Sequence, residues 1–316
     1  EVVKPSEILA LKQHRKELTV PENDDQLVTT GRRLNYARQL TDGSHPMTAR
    51  VFVNRIWMHH FGNGIVRSKG DFGIAGEKPI HQDLLDWLAK DFVMNGWDLK
   101  RLHKTIVSSK TYRQSSTRRP DIEKIDPDNY LFGRSNMKRL EAEAIRDSLL
   151  MISGKLDPLI GGPSIPVTEN NEGKPVLDKD HGRRSIFVEV QRRLPLNILA
   201  TFDQPVMTPN CNKRTNTTVA TQALWFMNDN ESVEISETLA KSIMTESTGL
   251  ENQLHQLFIK LFAKKPTPEE LHTCMDYFHS QSKRLAKQNT KKNPDHLAMS
   301  SLCQALFASN RFLFVD

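Results

Sequence analysis

Most of this chain places apolar residues three and four positions apart, the spacing of one face of an α-helix. Because each such stripe has to be buried against another, this pattern constrains the fold more than any other feature. It predicts a mostly α, multi-helix domain. The predicted helices lie near residues 6–17, 30–41, 46–61, 80–94, 98–109, 138–153, 195–201, 218–228, 231–245, 251–262, 268–286 and 296–308.

Several helix ends carry explicit sequence signals. Asp98 is placed to cap the helix that follows it. Thr267 and Glu270, on either side of a first-turn proline, form the pattern of a reciprocal capping box. Gly62 and Gly154 stand where two helices should stop.

The segment 155–193 departs from the helical pattern. A Gly-Gly-Pro run at 161–163 opens it, and an Asn- and Gly-rich run at 170–175 breaks it in the middle. Residues 185–190 are rich in β-branched and aromatic side chains. We therefore predict a small β-hairpin inserted near 155–193.

The domain organisation follows from this one interruption. We expect a linker or helix over 1–29 and a single helical domain over 30–316. The insertion at 155–193 would separate a helical half at 30–154 from a second half at 194–316. Since Glu1 is neither an initiator Met nor part of a signal peptide, we expect a processed chain or a segment of a longer polypeptide.

Composition indicates a globular protein. Of the 316 residues, 37% are apolar and 26% are charged, and the two kinds are interspersed. No run of eighteen apolar residues occurs, so no membrane span is expected. The net charge of +6 raises the question of a polyanionic partner, but the basic residues are scattered and accompany no nucleic-acid-binding motif. A nucleic-acid partner is not expected, and a polyanion-binding basic surface stays open as an alternative.

The three cysteines argue against a metal or haem site in this chain. Cys211, Cys274 and Cys303 are widely spaced and form no C-x-x-C or C-x-x-C-H motif. We predict no metal and no cofactor in this chain. Cys274 and Cys303 fall on successive predicted helices and could form a disulfide, although buried free thiols are favoured.

Polar residues on the predicted helix 46–61 are the first candidates for a functional site. Arg50 and Asn54 share one face, and Arg55 and His59 share roughly the opposite one. Because apolar residues fill the arcs between, these side chains should be paired internally or line a cavity. We favour an internal network over an acid–base or anion-binding patch. The adjacent His59 and His60 diverge by about 100°, so they cannot both bind one metal, although a single axial haem ligand stays open.

Glu141 carries the sharpest signal. On a helix spanning 138–153 it falls inside the apolar arc, so we expect it to be buried. A buried carboxylate needs a cation, and the expected partners are, in order, Arg50, Arg55 and Arg214. A structural ion pair is favoured over a catalytic carboxylate with a shifted pKa.

The segment 214–218 precedes another predicted helix with a row of hydrogen-bonding side chains. Thr217 or Thr218 is expected to cap that helix. Together with Arg214, the exposed amides at the helix start could also hold an anion.

A longer series of motifs resembles a known family. The motifs are Pro46-Met47-Thr48-Ala49-Arg50-Val51, Val53-Asn54-Arg55-Ile56-Trp57, His59-His60-Phe61-Gly62, Asp71-Phe72-Gly73, Leu84-Leu85-Asp86-Trp87, Tyr112-Arg113-Gln114-Ser115-Ser116, Arg139-Leu140-Glu141-Ala142-Glu143, Thr215-Asn216-Thr217 and Gln222-Ala223-Leu224. Over residues 30–316 the chain resembles the planctomycete-specific domain of unknown function that follows a planctomycete cytochrome-c-like domain in large secreted proteins. The resemblance implies export and a haem-c-bearing partner domain, and it supplies no catalytic residue.

Three hypotheses of function remain open. The domain is part of an extracytoplasmic enzyme acting on polysaccharide-derived substrates, a non-catalytic module that docks a haem domain or a glycan, or a polyanion-binding surface. The first rests on family context alone. Its candidate catalytic residues are Glu141, Arg50, Asn54, His59 and Asp71, and the candidate anion-binding residues are Arg214, Thr217 and Thr218.

Overall fold

The computed structural model describes residues 23–315 except 25, 69, 178–181, 207–210, 212–213 and 289–291. The helix predicted near 6–17 lies outside these residues. Within them, thirteen α-helices and a short 3-10 helix accompany two small two-stranded antiparallel sheets, so the predicted mostly α class is confirmed. None of the described helices is both long enough and apolar enough to cross a membrane.

Contacts divide the chain into two compact units, one up to Asn136 and one from Met137 to Val315. The helices of the first unit are α1 (Arg32–Thr41), α2 (Thr48–Phe61), α3 (Gln82–Met94), α4 (Leu99–Val107) and α5 (Pro120–Ile125). Its core joins α2, α3 and α4 through buried side chains that include Val53, Trp57 and Leu85. Helix α5 lies in a stretch where no helix was predicted.

The second unit contains the larger core. Its elements are β1 (Lys138–Arg139), α6 (Ala142–Ile152), β2 (Val167–Glu169), β3 (Pro175–Leu177), α7 (Asn197–Thr201), α8 (Ala220–Asn228), α9 (Asn230–Glu246), α10 (Leu250–Phe262), α11 (Pro268–Ala286), α12 (Pro294–Phe307), α13 (Asn310–Leu313) and β4 (Phe314–Val315). Ile235, Leu239 and Ile243 recur every fourth residue along α9 and are at most 1% exposed, so this helix presents one continuous stripe to the core.

The predicted helix ends are confirmed. Asp98 accepts a hydrogen bond from the Arg101 amide. Thr267 and Glu270 bond reciprocally at the start of α11. Gly62 ends α2 with a φ of 81°, a conformation that favours glycine.

The insertion holds the predicted hairpin, in which Val167 pairs with Leu177 and Thr168 with Val176. The β-rich run that follows is not a strand, and Ser185–Phe187 forms a short 3-10 helix instead. Side chains of α6 hold this run: the Ser185 amide donates to Asp147 Oδ1 at 2.7 Å. The rest of the run makes a single parallel bridge, in which the Ile165 amide donates to the Phe187 carbonyl at 2.7 Å and the Glu189 amide donates to the Ile165 carbonyl at 2.9 Å. Its β propensity therefore yields one bridge and no strand.

The helix predicted over 138–153 begins later than expected. Lys138 and Arg139 form β1, which pairs with β4 at the C-terminal end of the described chain. Helix α6 therefore starts at Ala142, with Glu141 as its N-cap residue in extended conformation. A strand of two residues leaves no periodicity in the sequence, so only the distant partner strand defines it.

Candidate functional site

Asn54 and Arg50, two of the candidate catalytic residues on α2, form hydrogen bonds within the protein. The Asn54 side chain is buried; its Nδ2 donates to the Val66 carbonyl at 3.0 Å and its Oδ1 accepts from the Val66 amide at 2.9 Å. Arg50 donates from Nε to Asp86 Oδ1 at 2.5 Å and also bonds the Pro46 carbonyl. The hydrogen bond from Arg50 holds the pKa of Asp86 below its ordinary value. Asn54 therefore fixes the turn after α2, and Arg50 ties α2 to α3.

His59 and Asp71, the other two candidates in the first unit, lie at the surface. Asp71 Oδ1 accepts from the Gly73 amide at 2.7 Å, which closes a local turn. The neighbouring His60 turns its Nε2 to His103 Nδ1 at 2.8 Å, so it contacts α4.

The expectation that Glu141 is buried was wrong. Its side chain is 43% exposed because the residue stands at the N-cap position of α6, ahead of the first helical turn and outside the apolar arc. The expectation of an arginine within reach is confirmed, with Arg214 Nη1 at 3.3 Å from Glu141 Oε2. Arg214 was the third of the three expected partners.

Glu143 binds the same guanidinium more tightly. Arg214 donates to its two carboxylate oxygens at 2.5 and 3.1 Å, a bidentate arrangement. Two carboxylates of the chain thus occupy the side chain that was expected to hold an external anion.

Thr217 is held by a third carboxylate. Its amide and its hydroxyl each donate to Asp203 at 2.8 Å, and Arg139 donates to Asp203 at 2.9 Å and to the Thr217 carbonyl. The expectation that Thr217 or Thr218 caps the following helix was wrong. Helix α8 begins after Val219, whose amide donates to Gln222 Oε1 at 3.4 Å, while Thr218 is exposed.

A polar cleft that sequence reasoning missed lies along α10 in the second unit. Its volume is about 380 Å³, and its lining consists of Ser247, Thr248, Asn252, His255, Gln256, Ile259 and Lys265. The α-helical repeat explains the lining, because Asn252, Gln256 and Ile259 share one face of α10. The opposite face, with Leu254, Leu257 and Phe258, is buried in the core and fixes the helix.

The cleft side chains are largely without partners inside the protein. In the described ranges, the side chains of Ser247, Thr248, Gln256 and Lys265 have no hydrogen bond or ion pair, and no carboxylate is among the lining residues. Asn252 Nδ2 donates to the Thr248 carbonyl at 3.1 Å, which leaves its Oδ1 as an acceptor. The cleft therefore combines donors and acceptors with one positive charge.

No sequence motif predicts this cleft. In the sequence its residues have the pattern of the solvated face of an amphipathic helix, and only the loop before α10 and the turn after it make that face concave.

No group of three or more His, Cys, Asp or Glu residues in the described part of the chain is placed to hold a metal ion. The prediction that the chain carries no cofactor stays a prediction.

Comparison with known proteins gives a family and no function. No curated protein matches the chain, and no solved structure matches it. A family model described as a protein of unknown function, DUF1553, matches residues 32–278. The chain therefore belongs to this family of proteins of unknown function.

Proposed function

We propose that this chain is a non-catalytic binding module that holds a glycan in the cleft along α10. The observation that carries the proposal is the set of unpaired hydrogen-bonding side chains in a cleft of about 380 Å³. Elsewhere the polar residues that the sequence marked as catalytic or anion-binding largely bond to the protein itself, as Asn54, Arg50 and Arg214 do.

The chemistry of the lining suits a polyhydroxylated ligand. A sugar hydroxyl both donates and accepts, and the serine and threonine hydroxyls and the two amides do the same. The volume lies near the lower end of small-molecule sites, roughly 300–1,000 Å³, so the cleft fits a short saccharide. Lys265, the lysine among the described lining residues, favours an acidic sugar over a neutral one.

The same lining favours binding over cleavage. Most glycoside hydrolases place two carboxylates on either side of the scissile bond. None of the lining residues that the structure describes is a carboxylate, and the carboxylates of Glu141 and Glu143 are engaged with Arg214.

The setting of the module rests on the family resemblance. It supports export, an origin in Planctomycetes and a neighbouring cytochrome-c-like domain that carries haem c, with this chain as the part that holds the glycan.

A second candidate function, acid–base catalysis by Glu141, is favoured by one observation: its carboxylate is half-exposed and 3.3 Å from a guanidinium. Screening sugars for haem reduction by the full-length protein tests that alternative, since Glu141→Gln should then abolish turnover.

Calorimetric titration of the 316-residue chain with neutral and uronic-acid oligosaccharides tests the binding function. Gln256→Ala and Lys265→Ala should each weaken binding about tenfold, which corresponds to roughly 1.4 kcal/mol. Lys264→Ala is the matched control, because Lys264 is exposed and adjacent but lies outside the cleft. Equal affinities for the three variants would contradict the proposal.

A further inference from the structure

A second concave surface, in the first unit, has the opposite character. We call it the α2 groove; its volume is about 530 Å³. It is lined by Thr41, His45, Met47, Thr48, Val51, Phe52, Arg55 and Trp97. Four of these side chains are large and apolar, so the groove leaves hydrophobic surface in contact with solvent.

An aromatic cluster forms the apolar part of the groove. Phe52 is 36% exposed and stacks on Phe92 with ring centres 5.3 Å apart and planes inclined by 1°. Trp97 meets the same Phe92 edge-on at 5.2 Å. Since Phe92 is buried in the core, it holds the two lining rings in place and leaves one side of each open to a ligand.

Arg55 supplies the charge of the α2 groove. In the part of the chain that the structure describes, its guanidinium has no hydrogen bond or ion pair, whereas Arg50 on the same helix pairs with Asp86. Among the lining residues that the structure describes, none is a carboxylate. His45 is turned toward the start of α2, where its Nδ1 accepts from the Met47 and Thr48 amides at 3.2 and 3.1 Å.

We propose that the α2 groove binds a small apolar carboxylate, such as a medium-chain fatty acid or an aromatic acid. The carboxylate pairs with Arg55, and the apolar body lies against Phe52, Val51 and Trp97. Charge complementarity selects this class: a neutral apolar ligand would leave the guanidinium unused, and a polar anion would not use the aromatic surface. The proposal is independent of the glycan cleft, which belongs to the other unit.

Two dyes of matched shape test the proposal. 1-Anilinonaphthalene-8-sulfonate is anionic, and N-phenyl-1-naphthylamine is the same skeleton without the sulfonate. The anionic dye should bind the 316-residue chain about tenfold more tightly than the neutral one, the size of one charge-assisted hydrogen bond, and decanoate should displace it. Energy transfer from tryptophan to the dye should fall in Trp97→Phe and persist in part, because three other tryptophans remain.

Arg55→Gln should remove the difference between the two dyes and leave the affinity for the neutral dye unchanged. Arg33→Gln is the matched control, because Arg33 is an exposed arginine of the same unit outside the groove. As a second variant, Val51→Trp fills the groove and should abolish binding of both dyes. Equal affinities of the two dyes for the unaltered chain, or a preference that survives Arg55→Gln, would overturn the proposal. A folded Val51→Trp chain that still binds both dyes would overturn it as well.

Discussion

Arg139 donates to Asp203 across 2.9 Å from a side chain that is only 4% exposed. The ion pair joins β1 to the turn after α7, and Thr217 binds the same carboxylate from the segment before α8. One carboxylate therefore fixes three segments that are far apart in the sequence.

Asp203→Asn should lower the free energy of unfolding by about 3 kcal/mol, because it leaves a buried guanidinium without its counter-charge. Asparagine tolerates the positive φ of this position, 68°, as aspartate does, so the change isolates the charge. Urea unfolding measures the effect. Glu172→Gln is the control, since Glu172 and Lys174 form a fully surface ion pair and its loss should not be measurable. A loss at Asp203 no larger than at Glu172 would show that the pair is not structural.

The same carboxylate should make stability depend on pH. Burial acts to raise the pKa of Asp203, but the hydrogen bonds from Thr217 and Arg139 outweigh it and hold the pKa below its ordinary value. A group with a lowered pKa in the folded state stabilises the fold above about pH 4 and loses that contribution as the pH falls further. The unfolding free energy of the unaltered chain should therefore drop more steeply below pH 4 than that of Asp203→Asn. Parallel curves would contradict this.

Glu141 and Glu143 should differ although they share Arg214. Glu143→Gln should cost about 1.5 kcal/mol, because Glu143 is 25% exposed and makes two charge-assisted hydrogen bonds. Glu141→Gln should cost less than about 1 kcal/mol, as expected for a half-exposed ion pair. Melting temperatures of the two variants decide between them. A larger loss at Glu141 would mean that it is buried in solution, as the sequence suggested.

The three thiols should react at very different rates. Cys303 is fully buried, and burial raises the pKa of its thiol to about 12; burial also raises the pKa of the Cys274 thiol. Both are free thiols, as favoured from the sequence, and Cys211 is exposed. With a disulfide-exchange reagent at neutral pH, one thiol should react at once and two only after denaturation, because the thiolate is the reactive form. Rapid labelling of Cys303 in the folded chain would contradict this packing.

The elements of the fold that could be predicted from the sequence are those whose stabilising contacts lie within a few residues along the chain. The caps at Asp98 and Thr267 and the stripe of α9 depend on neighbours within a few residues, and they were predicted correctly. The strand Lys138–Arg139 depends on a partner at the other end of the unit, so helical periodicity was extended through it wrongly. That one error moved Glu141 from the exposed N-cap into a supposed apolar arc.

The candidate site was predictable only in part, for a related reason. Arg214 was named as a partner of Glu141 because charge compensation is a general requirement. The cleft along α10 was missed because Gln256 and Lys265 acquire a common role only from the concave surface around them. An exposed helix face and the wall of a binding cleft have the same sequence pattern.

The most direct test of the glycan cleft is a methyl NMR titration of the chain with isoleucine δ1 methyl groups labelled. Ile259 lines the cleft, whereas Ile125 is 81% exposed in the other unit and serves as an internal reference. Addition of a uronic-acid oligosaccharide should shift the Ile259 signal saturably and leave the Ile125 signal in place, and Lys265→Ala should move the midpoint about tenfold higher. Binding that leaves the Ile259 signal unchanged, or no shift at saturating oligosaccharide, would contradict the assignment of this cleft as the binding site.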